Sequence, residues 1–262
     1  SENIEQCREY HNEVIKSPLF DEKLKMFKVN ADLTGQSEEI GRTRIFPRGW
    51  LENESVWLHM EYKYMLELIR KGLEQEFYAH LKDVLVPFLD ARTYGRCILE
   101  NSSFIVSSAH EDKALHGQGF VARLSGSTAE LMHIWLLMNI GERPFVTNTN
   151  KALVLQFQPS LAAWLFTEKP STIEIISDSG QWEEVLLPEN TYAFNFLGQI
   201  LVVYHNPGRK DTFGKQKAQI ERIEISYPQK KNKTIISGHA LVGDVAEDVR
   251  NRKVQRIDVF LV

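Results

Sequence analysis

LSGSTAELMHIWLLMNIGERP (residues 124–144) is where the chain changes character, and its reading decides the fold class. Ser127 and Glu130 stand at capping-box spacing, and the residues after them (Leu131, Met132, Ile134, Trp135, Leu136, Met138) are strongly apolar. That pattern predicts a helix over 127–140. Gly141 and Pro144 supply its stop, because glycine tolerates the turn that ends a helix and proline cannot continue one. The helix start carries hydroxyls on Ser125, Ser127 and Thr128 around Gly126, at the positive end of the helix dipole. Free backbone N–H groups there can hold phosphate without a cationic side chain. The same residues equally describe a well-capped core helix.

Upstream of this stretch the periodicity is helical. Residues 3–16 are helix-compatible up to Pro18. Residues 56–71 place Val56, Met60, Tyr64, Leu68 and Lys71 on one face, with Trp57, Leu58, Met65, Leu66 and Ile69 beside it. Residues 74–91 form a further helical stretch interrupted by Pro87. Two long connections, 17–54 and 92–124, lie between, and loops of such length are usually functional. Downstream, short β-like runs at 153–157, 172–176, 184–187, 200–205, 219–226, 234–241 and 254–262 alternate apolar and polar residues, with turns at Asn190 and Asn206-Pro207-Gly208. Their spacing predicts an antiparallel β-sandwich. The chain therefore reads as α+β in two parts, 1–145 and 146–262. The helical part holds too few helices to close a bundle or barrel around its loops, whose Phe46, Trp50, Phe104 and Phe120 need packing partners. It reads as the tail end of a larger helical domain, and a first residue Ser1 rather than Met points the same way.

Bulk properties narrow the function classes. At 262 residues, 43% apolar and 25% charged, the composition is that of an ordinary globular protein. A net charge of −4 gives no support to a nucleic-acid or membrane-surface partner. No apolar run is long enough to span a bilayer. Two cysteines, Cys7 and Cys97, make no disulfide framework, so a reducing, cytoplasmic setting is the simpler expectation.

Two further segments carry groups suited to chemistry. Gly49 to His59 holds Trp50 and Trp57, the carboxylates of Glu52 and Glu54, the amide of Asn53 and the imidazole of His59. Indole faces beside carboxylate and amide groups are what a sugar needs, since C–H faces stack and hydroxyls hydrogen-bond. The alternative is a helix entry with core tryptophans and a histidine bonded to a carbonyl. The second segment surrounds Glu100 and Asn101 with small residues, which suits either a polar binding loop or a self-satisfied connection. No metal-ligand spacing, nucleophile elbow or phosphate-binding glycine loop occurs, so no cofactor is expected.

Taken together and in order, these segments resemble the end of the catalytic domain of glycoside hydrolase family 94, which includes cellobiose, chitobiose and 1,2-β-oligoglucan phosphorylases. Glu52-Asn53 followed by His59 is similar to the family's Glu-Asn-Gly-Gly-x-Tyr-Thr-His motif, and Ser125-Gly126-Ser127 to its Thr-Gly-Ser/Thr phosphate loop. The resemblance implies that 1–145 is the last part of an (α/α)6 barrel and 146–262 a jelly-roll-like sandwich. It implies an inverting phosphorolysis of β-linked glucosides or oligoglucans, with inorganic phosphate as co-substrate. It also implies His59, Ser125 and Gly126 as phosphate ligands and Glu52 as a ligand of the acceptor sugar; the residue reading above adds Asn53, Trp50 and Glu100 as sugar-binding candidates. The family's general acid lies upstream of this segment, so the chain alone is expected to be inactive, and a homodimer is the implied assembly. The sequence departs from the family where Glu54-Ser55 and Trp57-Leu58 replace the Gly-Gly and Tyr-Thr, and where Thr128-Ala129-Glu130 follows the phosphate loop. The competing readings are a non-catalytic carbohydrate-binding or structural β-sandwich protein and a glycoside hydrolase.

Overall fold

Asn3 starts the first helix: its side chain accepts from the backbone N–H of Glu5 at 2.9 Å and of Gln6 at 3.4 Å, capping α1 (Ile4–Lys16). The computed structural model describes residues 3–121, 125–176, 180–228, 230 and 232–262. The chain divides into two units, Ser1–Trp135 and Leu136–Val262, each with its own core. It is an α+β protein.

In the first unit a hairpin of β1 (Phe20–Asp21) and β2 (Met26–Phe27) follows α1. Then come β3 (Val56–Trp57), α2 (Leu58–Arg70), α3 (Glu74–Val84), the short α4 (Ala91–Tyr94), β4 (Phe104–Ile105), β5 (Gly119–Phe120) and the start of α5 (Ser125–Asn139), whose residues up to Trp135 belong to this unit. Pro87 has the predicted effect, because α3 stops at Val84 and a tight 3-10 turn takes over at Val86–Phe88. On α2 the buried face is Leu58, Glu61, Tyr62, Met65, Leu66, Leu68 and Ile69, while Met60 is exposed. The face predicted through Met60 and Tyr64 is thus rotated toward the Leu58–Met65–Ile69 stripe. That stripe is broader, and it carries the carboxyl of Glu61 inward.

The long connections are built rather than loose. Strands β3, β4 and β5 form a small antiparallel sheet that joins the entry to α2 with the 92–124 connection. Trp50 packs edge-on against Phe104 (centroids 5.2 Å apart) and Phe120 (4.6 Å), and Phe104 stacks on Phe120 at 5.7 Å. Three of the loop aromatics for which the sequence shows no partner therefore pack on one another.

In the second unit β6 (Phe145–Thr147), β7 (Leu153–Gln156), β8 (Ser171–Ile176), β9 (Trp182–Leu187), β10 (Thr191–Phe196), β11 (Ile200–His205), β12 (Ile220–Ser226), β13 (Thr234–Ser237), β14 (Ala240–Val242), α6 (Asp244–Arg250) and β15 (Arg256–Leu261) follow in order. The largest sheet has the order β10-β11-β15-β12-β13, beside a β14-β7-β6 sheet and a β8-β9 ribbon. Pairing is antiparallel except between β11 and β15, which run parallel. This departs from the wholly antiparallel expectation, and it follows from a long crossover through β12, β13, β14 and α6 between the two strands. The run predicted as one strand at 234–241 is broken at Gly238, whose φ of +96° suits glycine alone. Among the described residues no helix is long and apolar enough to cross a membrane.

Candidate functional site

Two helix N-termini meet in the first unit. His59 is the second residue of α2 and Gly126 the second of α5. A Cβ on Gly126 would stand 2.7 Å from Nδ1, 2.9 Å from Cε1 and 3.0 Å from Cγ of His59, so the imidazole lies directly on the glycine backbone. Any side chain at 126 would occupy the ring's place. The structure therefore brings together the histidine and the glycine that the sequence singles out 67 positions apart. The helix begins at Ser125, two residues before the predicted start. Ser127, with 1% exposure, consequently lies inside the first turn and not at the cap that its spacing to Glu130 suggests. The hydroxyl of Ser125 and the backbone of residues 122–124 lie outside the described residues.

Glu130 has a different role from the predicted capping one. Its Oε1 lies 3.5 Å from Nε2 of His59, with the carboxylate side chain 18% and the imidazole 31% exposed. Asn101 joins the same place from the loop before β4, donating from Nδ2 to Thr128 Oγ1 at 3.2 Å. Its Oδ1 accepts from the Tyr62 hydroxyl at 3.1 Å, and that hydroxyl accepts from the Val86 N–H at 3.1 Å. Burial raises the Tyr62 hydroxyl far above its ordinary value, so it stays a neutral donor at every ordinary pH. The N–H of Leu58, at the mouth of α2, donates to Ser103 O at 3.3 Å. The three segments singled out in sequence thus converge on α2 and α5. Asn101, Thr128 and Glu130 join the site in roles that local sequence does not assign. The four-residue step from Gly126 to Glu130 is the one signal for them, since it sets both on one helix face.

Trp50, Glu52 and Asn53 form a second group on the loop leading into β3. Leu51 and Glu54 hold φ values of +48° and +57° there, and Gly49 lies so close to His110 that a Cβ would sit 2.5 Å from its backbone nitrogen. The loop is fixed by Glu54, which is buried and bonded by Lys28 Nζ at 2.9 Å and Arg48 Nε at 2.5 Å, while its own N–H donates to Asn30 Oδ1 at 2.7 Å. Burial alone would raise the Glu54 carboxyl. The hydrogen bonds and charges of Arg48 and Lys28 outweigh it and hold the group below its ordinary value. Glu52 pairs with Arg42 at 2.6 Å through Oε1. Its Oε2, and Oδ1 of Asn53, are buried with no hydrogen-bond partner among the described residues. Asn53 donates to Phe46 O at 2.7 Å and borders a cleft of about 700 Å³ walled by Thr34, Arg44, Phe46 and Arg48. An unspent acceptor, Asn53 Oδ1, on a residue bordering a cleft of this size suits a ligand that brings hydroxyl donors.

Trp50 has its ring engaged by Phe104 and Phe120, and His110 lies 6.0 Å away, so packing accounts for most of its surface. Glu100 is exposed and paired with Arg96 at 3.3 Å, while its carbonyl receives the Tyr94 hydroxyl at 2.7 Å. Among the described residues no group of His, Cys, Asp and Glu is placed to hold a metal ion.

The chain matches no family model and no curated protein.

Proposed function

We propose that this chain is the C-terminal portion of an inverting glycoside phosphorylase of the family 94 kind, acting on β-linked glucosides or oligoglucans. One observation carries the reading: the imidazole of His59, at the start of one helix, lies on Gly126, at the start of another. Each helix start carries roughly half a positive charge. Two of them around one imidazole make a place for a compact oxyanion, and inorganic phosphate fits its size and charge. In this reading the first unit completes an (α/α)6 barrel and the second is the sandwich that follows it.

Phosphate attacks the anomeric carbon on the face opposite the departing sugar. It stands where an inverting hydrolase places water, and being anionic already it needs no general base. The task of these residues is to hold that anion in line. The unspent oxygens of Glu52 and Asn53 accept hydroxyls of the acceptor sugar. The general acid comes from the upstream part of the barrel.

The test has two arms. The chain is titrated with inorganic phosphate by calorimetry, where His59→Ala abolishes the binding seen in wild type. The chain joined to its upstream barrel is then given β-glucan oligomers. Release of sugar 1-phosphate only when phosphate is present supports the proposal, and equal cleavage without phosphate makes the protein a hydrolase instead.

A further inference from the structure

We propose that the first unit holds a second binding site, for a small uncharged molecule with a hydrocarbon body and a carbonyl oxygen that takes a hydrogen bond from Glu61. The site is independent of the phosphate reading above. A cavity of about 330 Å³ lies between α1, β2 and α2, walled by Val14, Leu19, Phe27, Met60, Tyr64 and Glu61. Among the described residues of that wall Glu61 is the single carboxyl and Lys28 the single cation. Glu61 is 2% exposed. Its Oε1 accepts the Phe27 N–H at 2.8 Å, whereas Oε2 is buried and makes no hydrogen bond among the described residues.

Burial favours the protonated form of Glu61 to well above the ordinary 4.5. In that form Oε1, already accepting from the backbone, is the carbonyl oxygen, and Oε2 carries the hydrogen. The unmet group is therefore a donor. A buried donor without an acceptor is a standing cost, and a ligand oxygen removes it. The remaining walls ask for hydrocarbon: the Phe27 and Tyr64 rings stand 4.6 Å apart, and the Tyr64 hydroxyl is already bonded to His11 Nδ1 at 2.7 Å. A cation is disfavoured on two counts. The Lys28 side chain lies in the wall, its ammonium held by Glu54 at 2.9 Å. Ionising Glu61 to meet a second cation would also take a charge pair out of water.

The experiment titrates the ¹⁵N-labelled full chain at pH 6 with cyclohexanone carrying a ¹³C carbonyl, and separately with methylcyclohexane, a hydrocarbon of the same shape. Both shift the Phe27 N–H resonance of wild type. Glu61→Met removes the donor and weakens cyclohexanone about tenfold, while methylcyclohexane binds as before or more tightly. Glu61→Gln can accept from Phe27 and still donate, so it keeps most of the cyclohexanone affinity. The bound carbonyl carbon moves downfield in wild type and in Glu61→Gln, as a hydrogen-bonded ketone does, and this readout stands even if Glu61→Met fails to fold. The proposal is overturned if cyclohexanone leaves the wild-type Phe27 resonance unmoved or binds without the carbonyl shift. It is overturned equally if Glu61→Met binds the ketone as well as wild type does, or if cyclohexylammonium binds wild type more tightly than cyclohexanone.

Discussion

Gly126→Ala separates helix stability from site geometry. Alanine is the better helix former, by up to about 1 kcal/mol in a helix interior, so propensity alone predicts a neutral or stabilising change. The new Cβ would lie 2.7, 2.9 and 3.0 Å from three atoms of the His59 ring, and ordinary contact begins at 3.4 Å. The ring must retreat by about 0.7 Å or more to remove that overlap. His59 is 31% exposed and turns about two side-chain bonds, so it moves in preference to the helix. A displacement of that order at a binding centre costs roughly tenfold to a hundredfold. The expected result is an unfolding free energy within about 1 kcal/mol of wild type. Phosphate affinity, by contrast, falls at least about tenfold, with new His59 ring resonances. Urea unfolding, calorimetry and histidine NMR on the same sample measure all three. Wild-type phosphate affinity together with unmoved His59 resonances would refute the reasoning, because the overlap leaves the ring no way to stay.

Three other perturbations probe buried charge. Burial raises the Glu61 carboxyl well above its ordinary 4.5, with only the Phe27 N–H opposing. Above that pH the folded chain keeps a proton that the unfolded chain sheds, so stability falls as pH rises. Glu61→Gln should remove this slope, stabilising at pH 7 with a gain that disappears near pH 4; urea unfolding across that range checks it, and a pH-independent difference contradicts it. Lys28→Met leaves Glu54 buried with Arg48 alone and should cost about 2 kcal/mol in the same assay, whereas no loss would show that Arg48 suffices. Asp258 is buried, which opposes its ionisation. Hydrogen bonds from His205 at 2.8 Å and Arg256 at 2.7 Å, with the charge of Lys233, nevertheless hold it far below its ordinary 3.8. Its stabilisation is present above that ordinary value and is lost as pH falls below it, so Asp258→Asn should lose stability at pH 6 and show a flatter acid limb.

What the sequence made legible follows from the range of the interactions involved. Helices α1, α3 and α5 and strand β11 were readable because prolines, glycine stops and periodicity act within a few residues, although the cap read from Ser127 and Glu130 was misplaced. Strand β10 was not, since Asn190 signals a turn while the residues after it take their pairing from β11. The inward turn of Glu61 was equally hidden, because its partner is the backbone of Phe27, 34 residues away. At the site, the residue types were legible and their assembly was not. His59 and Gly126 could be singled out separately, yet only folding shows that the ring lies on the glycine. Glu130 illustrates the limit most directly, because the spacing that reads as a cap to Ser127 belongs to a side chain facing His59.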